Sequence, residues 1–239
     1  MLTLQNVGVR YGGVDALRNV SLDVERGHVL GLIGPNGAGK TTLINATTGL
    51  APLSAGTIAL NGRRIDGASP HRIARAGIAR TYQNIRLFGA LDVRANLDAG
   101  AYARPGRLGA DTLASLLGRA GIAHVDLAAP AGALPYGDQR RLEIARALAG
   151  SPSVLMLDEP AAGMNPSETT RLVETIRAIA AGGIAVLLIE HDMPLVRAAC
   201  DAVVVLNFGE VIARGTPATV ARDPVVVEAY LGSGAESLA

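Results

Sequence analysis

The chain has 239 residues, of which 49% are hydrophobic and 18% are charged. This composition excludes a disordered chain and favours a globular protein of one or two domains with a buried core. The 22 basic and 21 acidic residues leave a formal net charge of +1, so no general attraction to nucleic acid or anionic lipid is expected. The single cysteine, Cys200, cannot form an internal disulfide, and we expect a buried thiol.

Neither the first residues nor the apolar runs indicate insertion into a membrane. The start lacks the basic-then-apolar layout of a secretory signal, which predicts a cytosolic protein. The longest apolar runs, such as 185–189 and 202–206, have about a quarter of the ~20 residues that a membrane-spanning helix needs. Any role at a membrane is therefore expected to be exercised through partners.

The first predicted elements are strands of an antiparallel sheet. The segment up to about Gly31 alternates apolar and polar residues, as does the segment 55–61, and both are punctuated by Gly and Asn. A short buried strand is then predicted at 28–33, and a helix is predicted to follow and to end at Gly49.

Between that strand and that helix lies a glycine-rich segment of the form GxxxxGK[ST]. Glycines let consecutive backbone N–H groups turn inward around phosphate oxygens, and the start of the helix adds its partial positive charge. A glycine-rich turn without a ligand is disfavoured, because strand, spacing and helix all agree with the motif. The predicted phosphate-binding residues are Gly34, Pro35, Asn36, Gly37, Ala38, Gly39, Lys40, Thr41 and Thr42.

Three side chains of this phosphate loop have predicted roles. Lys40 is the only lysine in the chain, and we expect its compact ammonium to reach the β- and γ-phosphates. Thr41 is expected to place its hydroxyl on Mg²⁺, and Thr42 to contact the α-phosphate from the first turn of the helix.

Two further buried strands end in polar residues. The strand at 153–157 leads to Asp158 and Glu159, and the strand at 184–189 leads to His191. Because ligands bind at the carboxyl ends of parallel strands, we expect Asp158 to hold Mg²⁺, Glu159 to act as general base on water, and His191 to contact the γ-phosphate. An acidic pair at a strand end is by itself more often a solvated cap. The remaining histidines are expected to be ordinary surface or core residues: His28, His71 and His124.

A fourth motif, LPYGDQRR, begins at Leu134 and runs into a strongly helical segment that ends at Gly150. It resembles the LSGGQ signature of ABC-transporter ATPases, a loop at a helix N-terminus that binds the γ-phosphate held by the other subunit. On this resemblance, the signature residues that bind nucleotide are Pro135, Tyr136, Gly137 and Asp138.

The resemblance covers essentially the whole chain and implies further roles, with ATP and Mg²⁺ as cofactors. Tyr11 resembles the aromatic residue that stacks on adenine, and Gln83 resembles the Q-loop glutamine that joins Mg²⁺ to the transporter contact. Residues 162–165 match the D-loop, and His191 matches the switch histidine. Simpler interpretations stay open: Tyr11 as a cross-strand aromatic, Gln83 as a partner of a neighbouring loop, and Asn165 as a helix N-cap.

Three residues depart from the general ABC pattern. Pro135 replaces the signature serine, which leaves the Gly137 N–H and the helix dipole to bind phosphate. Asp138 stands where glutamine is usual, and we expect it to face the ribose or solvent because it would repel a triphosphate. Asn165 replaces the D-loop aspartate and carries no charge.

These motifs and the C-terminal segment look most like the ATPase subunits of branched-chain amino-acid importers, with urea or amide importers and lipopolysaccharide-export ATPases as alternatives. The predicted fold is α/β, a P-loop NTPase ABC-type nucleotide-binding domain over 1–239. It has an N-terminal antiparallel β subdomain, a parallel sheet, and a helical signature subdomain at approximately 86–150.

One chain holds one phosphate loop and one signature that cannot meet within it, so a second ABC ATPase subunit is the expected partner, in a homodimer or a paralogous heterodimer. The resemblance also implies integral-membrane permease subunits docked on 83–104, and indirectly a substrate-binding protein, at the cytoplasmic face of the inner membrane. No nucleic-acid partner is expected.

Two functions of other classes compete with this one. DNA-repair or chromosome-organising ATPases of the ABC kind usually carry a long coiled coil, whereas 95–132 is short and lacks sustained heptads or a basic stripe. A non-hydrolysing, nucleotide-gated binding module is disfavoured by the intact Glu159 and His191.

Overall fold

A computed structural model describes residues 1–102 and 108–231 of the chain. Within these ranges the strands are β1 (Leu2–Tyr11), β2 (Val14–Val24), β3 (Val29–Ile33), β4 (Ala55–Leu60), β5 (Arg63–Arg64), β6 (Ile78–Arg80), β7 (Val154–Asp158), β8 (Ala185–Ile189), β9 (Ala202–Asn207) and β10 (Glu210–Gly215). The α-helices are α1 (Lys40–Thr47), α2 (Pro70–Ala76), α3 (Val93–Gly100), α4 (Ala110–Arg119), α5 (Tyr136–Ala149), α6 (Pro166–Ala181), α7 (Met193–Ala199), α8 (Pro217–Val220) and α9 (Pro224–Leu231).

The first sheet is antiparallel, as predicted, with strand order β2-β1-β4-β5. Its alternating apolar residues face inward, and Leu2, Leu4 and Val9 are fully buried. The prediction that this sheet extends to about Gly31 is wrong at its end. The chain leaves the sheet at Val24, and a turn containing Gly27 at φ +81° directs it into β3 of the other sheet.

The second sheet has six strands in the order β10-β9-β3-β8-β7-β6. All neighbouring pairs are parallel except the hairpin of β9 and β10. Every residue of β3, β7 and β8 is buried, which explains their continuous apolar sequences, since both faces of a parallel sheet are covered. The register aligns Leu32 and Asp158 with Ile189, so the residues after these three strands emerge at one edge.

Helices α3, α4 and α5 lie within the segment predicted as a helical subdomain. Their apolar faces join one core with the outer face of the six-stranded sheet. Gly100 of α3 allows close backbone packing against α5, because a Cβ at that position would overlap the carbonyl oxygen of Arg146. Among the helices of residues 1–102 and 108–231, none has the length and apolar character needed to span a bilayer.

Candidate nucleotide-binding site

The phosphate loop joins the end of β3 to the start of α1, and three of its glycines have positive φ: Gly34 at +149°, Gly37 at +80° and Gly39 at +107°. A Cβ at Gly34 would overlap the carbonyl oxygen of Leu206, and one at Gly39 would lie 2.9 Å from that of Ala16. The loop therefore packs directly on the β9–β10 hairpin and on β2. Glycine is the residue type that combines these backbone angles with these close approaches.

Lys40 folds back over the loop from the first turn of α1. Its Nζ donates hydrogen bonds to the carbonyl oxygens of Gly34 at 2.6 Å and Pro35 at 2.9 Å. Burial lowers the pKa of Lys40, and the negative charges of Glu159 and Asp158 oppose that shift. Because its hydrogen-bond partners are neutral carbonyls, the ammonium keeps a net positive charge that suits a phosphate oxygen.

A cavity of about 720 Å³ opens above the loop, within the size range of small-molecule sites. Its lining residues come from β2, the phosphate loop, the Q-loop, the end of β7 and the β9–β10 turn: Val14, Asp15, Ala16, Arg18, Asn36, Gly37, Ala38, Gly39, Lys40, Thr41, Thr42, Gln83, Glu159, Phe208 and Gly209. Tyr11 lies beside this wall, paired with Val14 across the β1–β2 hairpin, and its side chain is half exposed. Its stacking role stays a prediction.

Glu159 is the point at which the predicted catalytic residues meet. It follows β7 directly and has φ +45°, a strained backbone conformation for a residue with a Cβ. Its Oε2 accepts a 2.8 Å hydrogen bond from Nε2 of Gln83 and lies 3.9 Å from Nδ1 of His191. Two segments that are distant in sequence from Glu159 therefore bring their polar side chains to one oxygen of its carboxylate.

Glu190 holds two of these segments together, which the sequence analysis did not predict. Its carboxylate is buried and accepts hydrogen bonds from the backbone N–H of Ala161 at 3.0 Å and of His191 at 3.2 Å. Burial raises the pKa of Glu190, and these two backbone bonds oppose that shift. The carboxylate thereby fixes the loop after β7 to the loop that carries the histidine.

Asp158 lies at the carboxyl end of β7, as predicted, and is paired with an arginine that the sequence analysis missed. Nη2 of Arg80 donates to Oδ2 of Asp158 at 3.2 Å, and Nη1 of Arg80 donates to Oδ1 of Asn45 at 2.9 Å. Burial raises the pKa of Asp158, whereas the charge of Arg80 opposes the rise. The only local signal was a charged residue at the end of the short strand β6.

The signature residues form the start of α5, with Pro135 as N-cap. The Tyr136 hydroxyl donates a 2.9 Å hydrogen bond to the carbonyl oxygen of Ala162, so the signature is fastened to the D-loop of the same chain. Gly137 is buried, and a Cβ there would lie 2.7 Å from Oε1 of Glu168. Glycine at this position is thus explained by packing between α5 and α6.

The expectation that Asp138 faces solvent is wrong for this structure, whereas its contact with a ribose stays a prediction. Its carboxylate is 14% exposed and lies 3.1 Å from Nε2 of His124 and 3.5 Å from Nη1 of Arg141. Two basic side chains attract the carboxylate, which contacts the exposed His124 and the buried Arg141. His124 is an exposed residue, as expected, but it has this specific partner.

Asn165 and Glu168 form a capping box at the start of α6, in which the side chain of each accepts a hydrogen bond from the backbone N–H of the other. Oδ1 of Asn165 accepts from the N–H of Glu168 at 3.0 Å, and Oε2 of Glu168 accepts from the N–H of Asn165 at 2.9 Å. The helix-cap interpretation of Asn165 is therefore confirmed. A role across a subunit interface stays a prediction.

A buried ion pair connects α5 to the Q-loop, and the sequence analysis did not predict it. Arg140 is fully buried and lies 2.9 Å from Glu143 on the same helix. Its two Nη atoms also donate to the carbonyl oxygens of Tyr82 at 2.6 Å and Gln83 at 2.5 Å. The position of the Gln83 backbone is thus set by the signature helix.

A glycine-rich loop with a lysine, at the edge of a parallel sheet where two carboxylates and a histidine emerge, defines a phosphate-loop nucleotide-binding protein. Residues 17–162 match the family described as ABC transporter, and residues 210–236 match the family described as branched-chain amino acid ATP-binding cassette transporter. The chain belongs to the ABC transporter family, as one of its ATP-binding cassettes. The predicted family, fold class and ATPase class are confirmed.

Similar proteins match over nearly the whole chain. The high-affinity branched-chain amino acid transport ATP-binding proteins LivG of Salmonella typhimurium and BraF of Pseudomonas aeruginosa are each 41% identical, over 97% of this chain and 98% of their own. Among solved structures, an ATP-binding cassette of an ABC transporter in its ADP conformation superposes with TM-score 0.87 at 30% identity. That comparison covers 97% of this chain and 98% of the solved chain.

Proposed function

We propose that this chain is the ATP-hydrolysing subunit of an importer of branched-chain amino acids, in which ATP-driven closure of two such subunits powers transport. The convergence of Gln83 and His191 on Glu159, beside the lysine of the phosphate loop, carries the hydrolytic part of this proposal. The names of the similar proteins and the family match at 210–236 support the substrate.

Each of these side chains has a separate role in phosphoryl transfer. Lys40 and the loop N–H groups hold the β- and γ-phosphates, and Glu159 accepts the proton of the attacking water. His191, 3.9 Å from that carboxylate, is placed to contact the terminal phosphate and to stabilise the charge that develops on it.

Mg²⁺ fits the donor set at this site. Among residues 1–102 and 108–231, no group of three or more His, Cys, Asp or Glu side chains is arranged to hold a metal ion. Mg²⁺ is usually bound by one or two carboxylates and completes its shell with water and substrate phosphates, so a cage of several acidic side chains is not needed. We assign the Thr41 hydroxyl, the Gln83 amide oxygen and the Asp158 carboxylate to this role. When bound, the ion neutralises charge on the phosphates.

A second ATP-binding subunit completes each site. The signature lies at the start of α5, where the first N–H groups of the helix are available to a phosphate supplied by another chain. We infer a head-to-tail pair in which Lys40 of one subunit and Gly137 of the other enclose the same nucleotide. The second subunit is an identical chain or a paralogue.

The permease is proposed to dock in a groove of about 920 Å³ between two parts of the chain. Helix α2 and strand β6 form one wall, and α3 and α5 form the other. Arg86 and the half-exposed Phe88 line the groove, and both belong to the segment 83–104 that the sequence analysis expected to be the docking surface; residues 103–104 lie outside the described part of the chain. This docking places the subunit at the cytoplasmic face of the inner membrane, with a substrate-binding protein acting beyond the permease.

Reconstitution tests the proposal. The chain is co-expressed with two hydrophobic permeases and a binding protein, which we expect to be encoded beside it, and the complex is placed in vesicles containing ATP and Mg²⁺. We expect ATP-dependent uptake of radiolabelled leucine, isoleucine or valine. Uptake of urea or an amide instead would reassign the substrate, and absence of ATP hydrolysis by the complex would contradict the proposed activity itself.

The docking surface has its own test. Phe88→Ala is expected to weaken co-purification of the permease without changing nucleotide binding by the isolated subunit, because Phe88 lies in the groove and outside the cavity at the phosphate loop. Val225→Ala removes another exposed apolar side chain, one that lines neither the groove nor the nucleotide cavity, and is the control. Undiminished assembly of the Phe88→Ala variant would remove this groove from the proposal.

A further inference from the structure

Arg80 contacts three parts of the molecule: helix α1, the residue Asp158 at the nucleotide site, and Tyr82 in the groove proposed for the permease. Its side chain is 9% exposed and lies at the end of β6, between the nucleotide site and the groove proposed for the permease. One amino group of the guanidinium binds Asn45 on α1, the helix that follows the phosphate loop, and the other binds Asp158. The planar guanidinium suits this double contact because it donates from two separate nitrogen atoms, whereas all three donors of a lysine share one nitrogen.

The opposite partner of Arg80 is an aromatic wall of the groove. The guanidinium carbon of Arg80 lies 4.3 Å from the centre of the Tyr82 ring. The guanidinium carbon of Arg86 lies 4.2 Å from the centre of the same ring. The carbonyl oxygen of Tyr82 is also bound by Arg140 of α5. The Tyr82 ring is thus held between the nucleotide side and the helical side of the molecule. Of its two stacked arginines, Arg80 is the one hydrogen-bonded to Asp158.

We propose that Arg80 is a positioning residue that couples the nucleotide site to the docking groove, by transmitting changes at Asp158 and α1 to the ring of Tyr82. A nucleotide bound with Mg²⁺ changes the charge around Asp158, and the buried guanidinium must follow the carboxylate or lose its partner. Movement of Arg80 then changes the contact with Tyr82 on the groove wall. The meaning of this coupling for transport rests on the proposed function, but the coupling itself can be measured in the isolated chain.

The chain contains no tryptophan, which makes a direct test possible. Tyr82→Trp places a single indole under both arginines and preserves an aromatic face for them. The purified variant is titrated with ADP and Mg²⁺ while indole emission is recorded, and binding is measured separately by calorimetry. We expect a saturable change in emission that follows the calorimetric binding curve.

Two arginine variants are made in the Tyr82→Trp background. They distinguish the proposed coupling through Arg80 from a general effect of losing an arginine stacked on the ring. Arg80→Met is expected to abolish the emission change while ADP still binds within about tenfold of the parent affinity. Arg86→Met is the matched control, because it removes a guanidinium at nearly the same distance from the ring, and the emission change should remain. If Arg80→Met does not fold, Arg80→Lys replaces it, with the same expected loss of signal.

Several results would overturn the proposal. These are an emission change that persists without Arg80, an equal loss in both arginine variants, or no change in the parent variant despite calorimetric binding. Neither permease nor amino acid is present in this fluorescence titration. A failure of the transport experiment would therefore not change its interpretation. Absence of calorimetric binding by the native chain would instead contradict the proposed ATPase.

Discussion

The side-chain amide of Gln83 donates a 2.8 Å hydrogen bond to the carboxylate of Glu159, 76 residues away in sequence. The Gln83 backbone is bound by Arg140 of α5, and Glu159 follows a fully buried strand, so the bond joins the signature helix to the catalytic edge of the sheet. An amide that donates through Nε2 keeps its Oε1 as an acceptor, which suits a cation. One glutamine can therefore hold the base and face Mg²⁺.

Glu159→Gln should separate nucleotide binding from hydrolysis. An amide has nearly the same shape as the carboxylate but cannot take a proton from water, so we expect ATP hydrolysis to fall by about 10²–10⁴-fold. Binding should persist, and the ATP-bound pair should accumulate on size-exclusion chromatography because hydrolysis no longer opens it. Glu174→Gln, on the exposed face of α6, is the matched control and should behave as the native chain. Undiminished phosphate release from Glu159→Gln would refute its role as general base.

Lys40 offers a direct test of phosphate binding, since it is the only lysine. Lys40→Ala should abolish nucleotide binding in calorimetry, because the ammonium faces the phosphate cavity. In the native chain, ADP with Mg²⁺ should protect Lys40 from an amine-reactive reagent, as measured by mass spectrometry. The amino group of Met1, which is bonded to Asn61 on the first sheet, is the internal reference and should react equally with and without nucleotide. Equal labelling of Lys40 in both conditions would contradict the assigned contact.

The sequence predicted the elements whose signals are local. The phosphate loop, β7 with Asp158, and β8 leading to His191 each combine a buried strand with a fixed motif, and each lies where expected. Strand β6 was not predicted, because it has three residues and its partner β7 is far along the chain. Strand β9 was visible only as the apolar run 202–206 and β10 was not predicted, since a hairpin at a sheet edge depends on tertiary pairing.

The polar partners of the site residues could not be predicted from the sequence for a related reason. A charged residue in a helix is normally assigned to its solvent face, so nothing local in α5 marks Arg140 as fully buried. Arg80 and Glu190 likewise acquire their roles only when separate strands bring Asp158 and Ala161 beside them. Pairing across the fold, which a single sequence does not show, decides these positions.

Arg140→Met should destabilise the protein by about 3–5 kcal/mol, because it leaves the buried Glu143 with only the more distant Arg146, at 3.9 Å, as a charged partner. The free energy of unfolding is measured by urea titration. Replacing both residues, as Arg140→Met with Glu143→Leu, should recover part of that loss, since the fully buried carboxylate is then removed together with its arginine. Arg171→Met, on the exposed side of α6, should change stability by less than about 0.5 kcal/mol. An Arg140→Met variant as stable as the native chain would contradict the clamp between α5 and the Q-loop.

Gly137→Ala should impair hydrolysis without unfolding the chain. The added Cβ would lie 2.7 Å from Oε1 of Glu168, the end of a flexible side chain, which must move and open the capping box of α6. We expect ATPase activity of the pair to fall at least about tenfold with unchanged nucleotide affinity of the isolated chain. Glu168→Ala in the same chain should restore part of the activity. Gly118→Ala, where a Cβ meets open space on α4, is the control and should have native activity.

Cys200 should be almost inert in the folded protein and reactive only on unfolding. The thiol is 4% exposed, and burial raises its pKa to about 12, so the thiolate that reacts with electrophiles is scarce near pH 7. Labelling with an iodoacetamide dye should proceed at the ordinary rate of a free thiol in urea and orders of magnitude more slowly in buffer. Across intermediate urea concentrations the labelling rate should follow the unfolded fraction measured by circular dichroism. Rapid stoichiometric labelling of the native chain at neutral pH would show that the pocket around Cys200 opens without global unfolding, contrary to its buried position against Gly31.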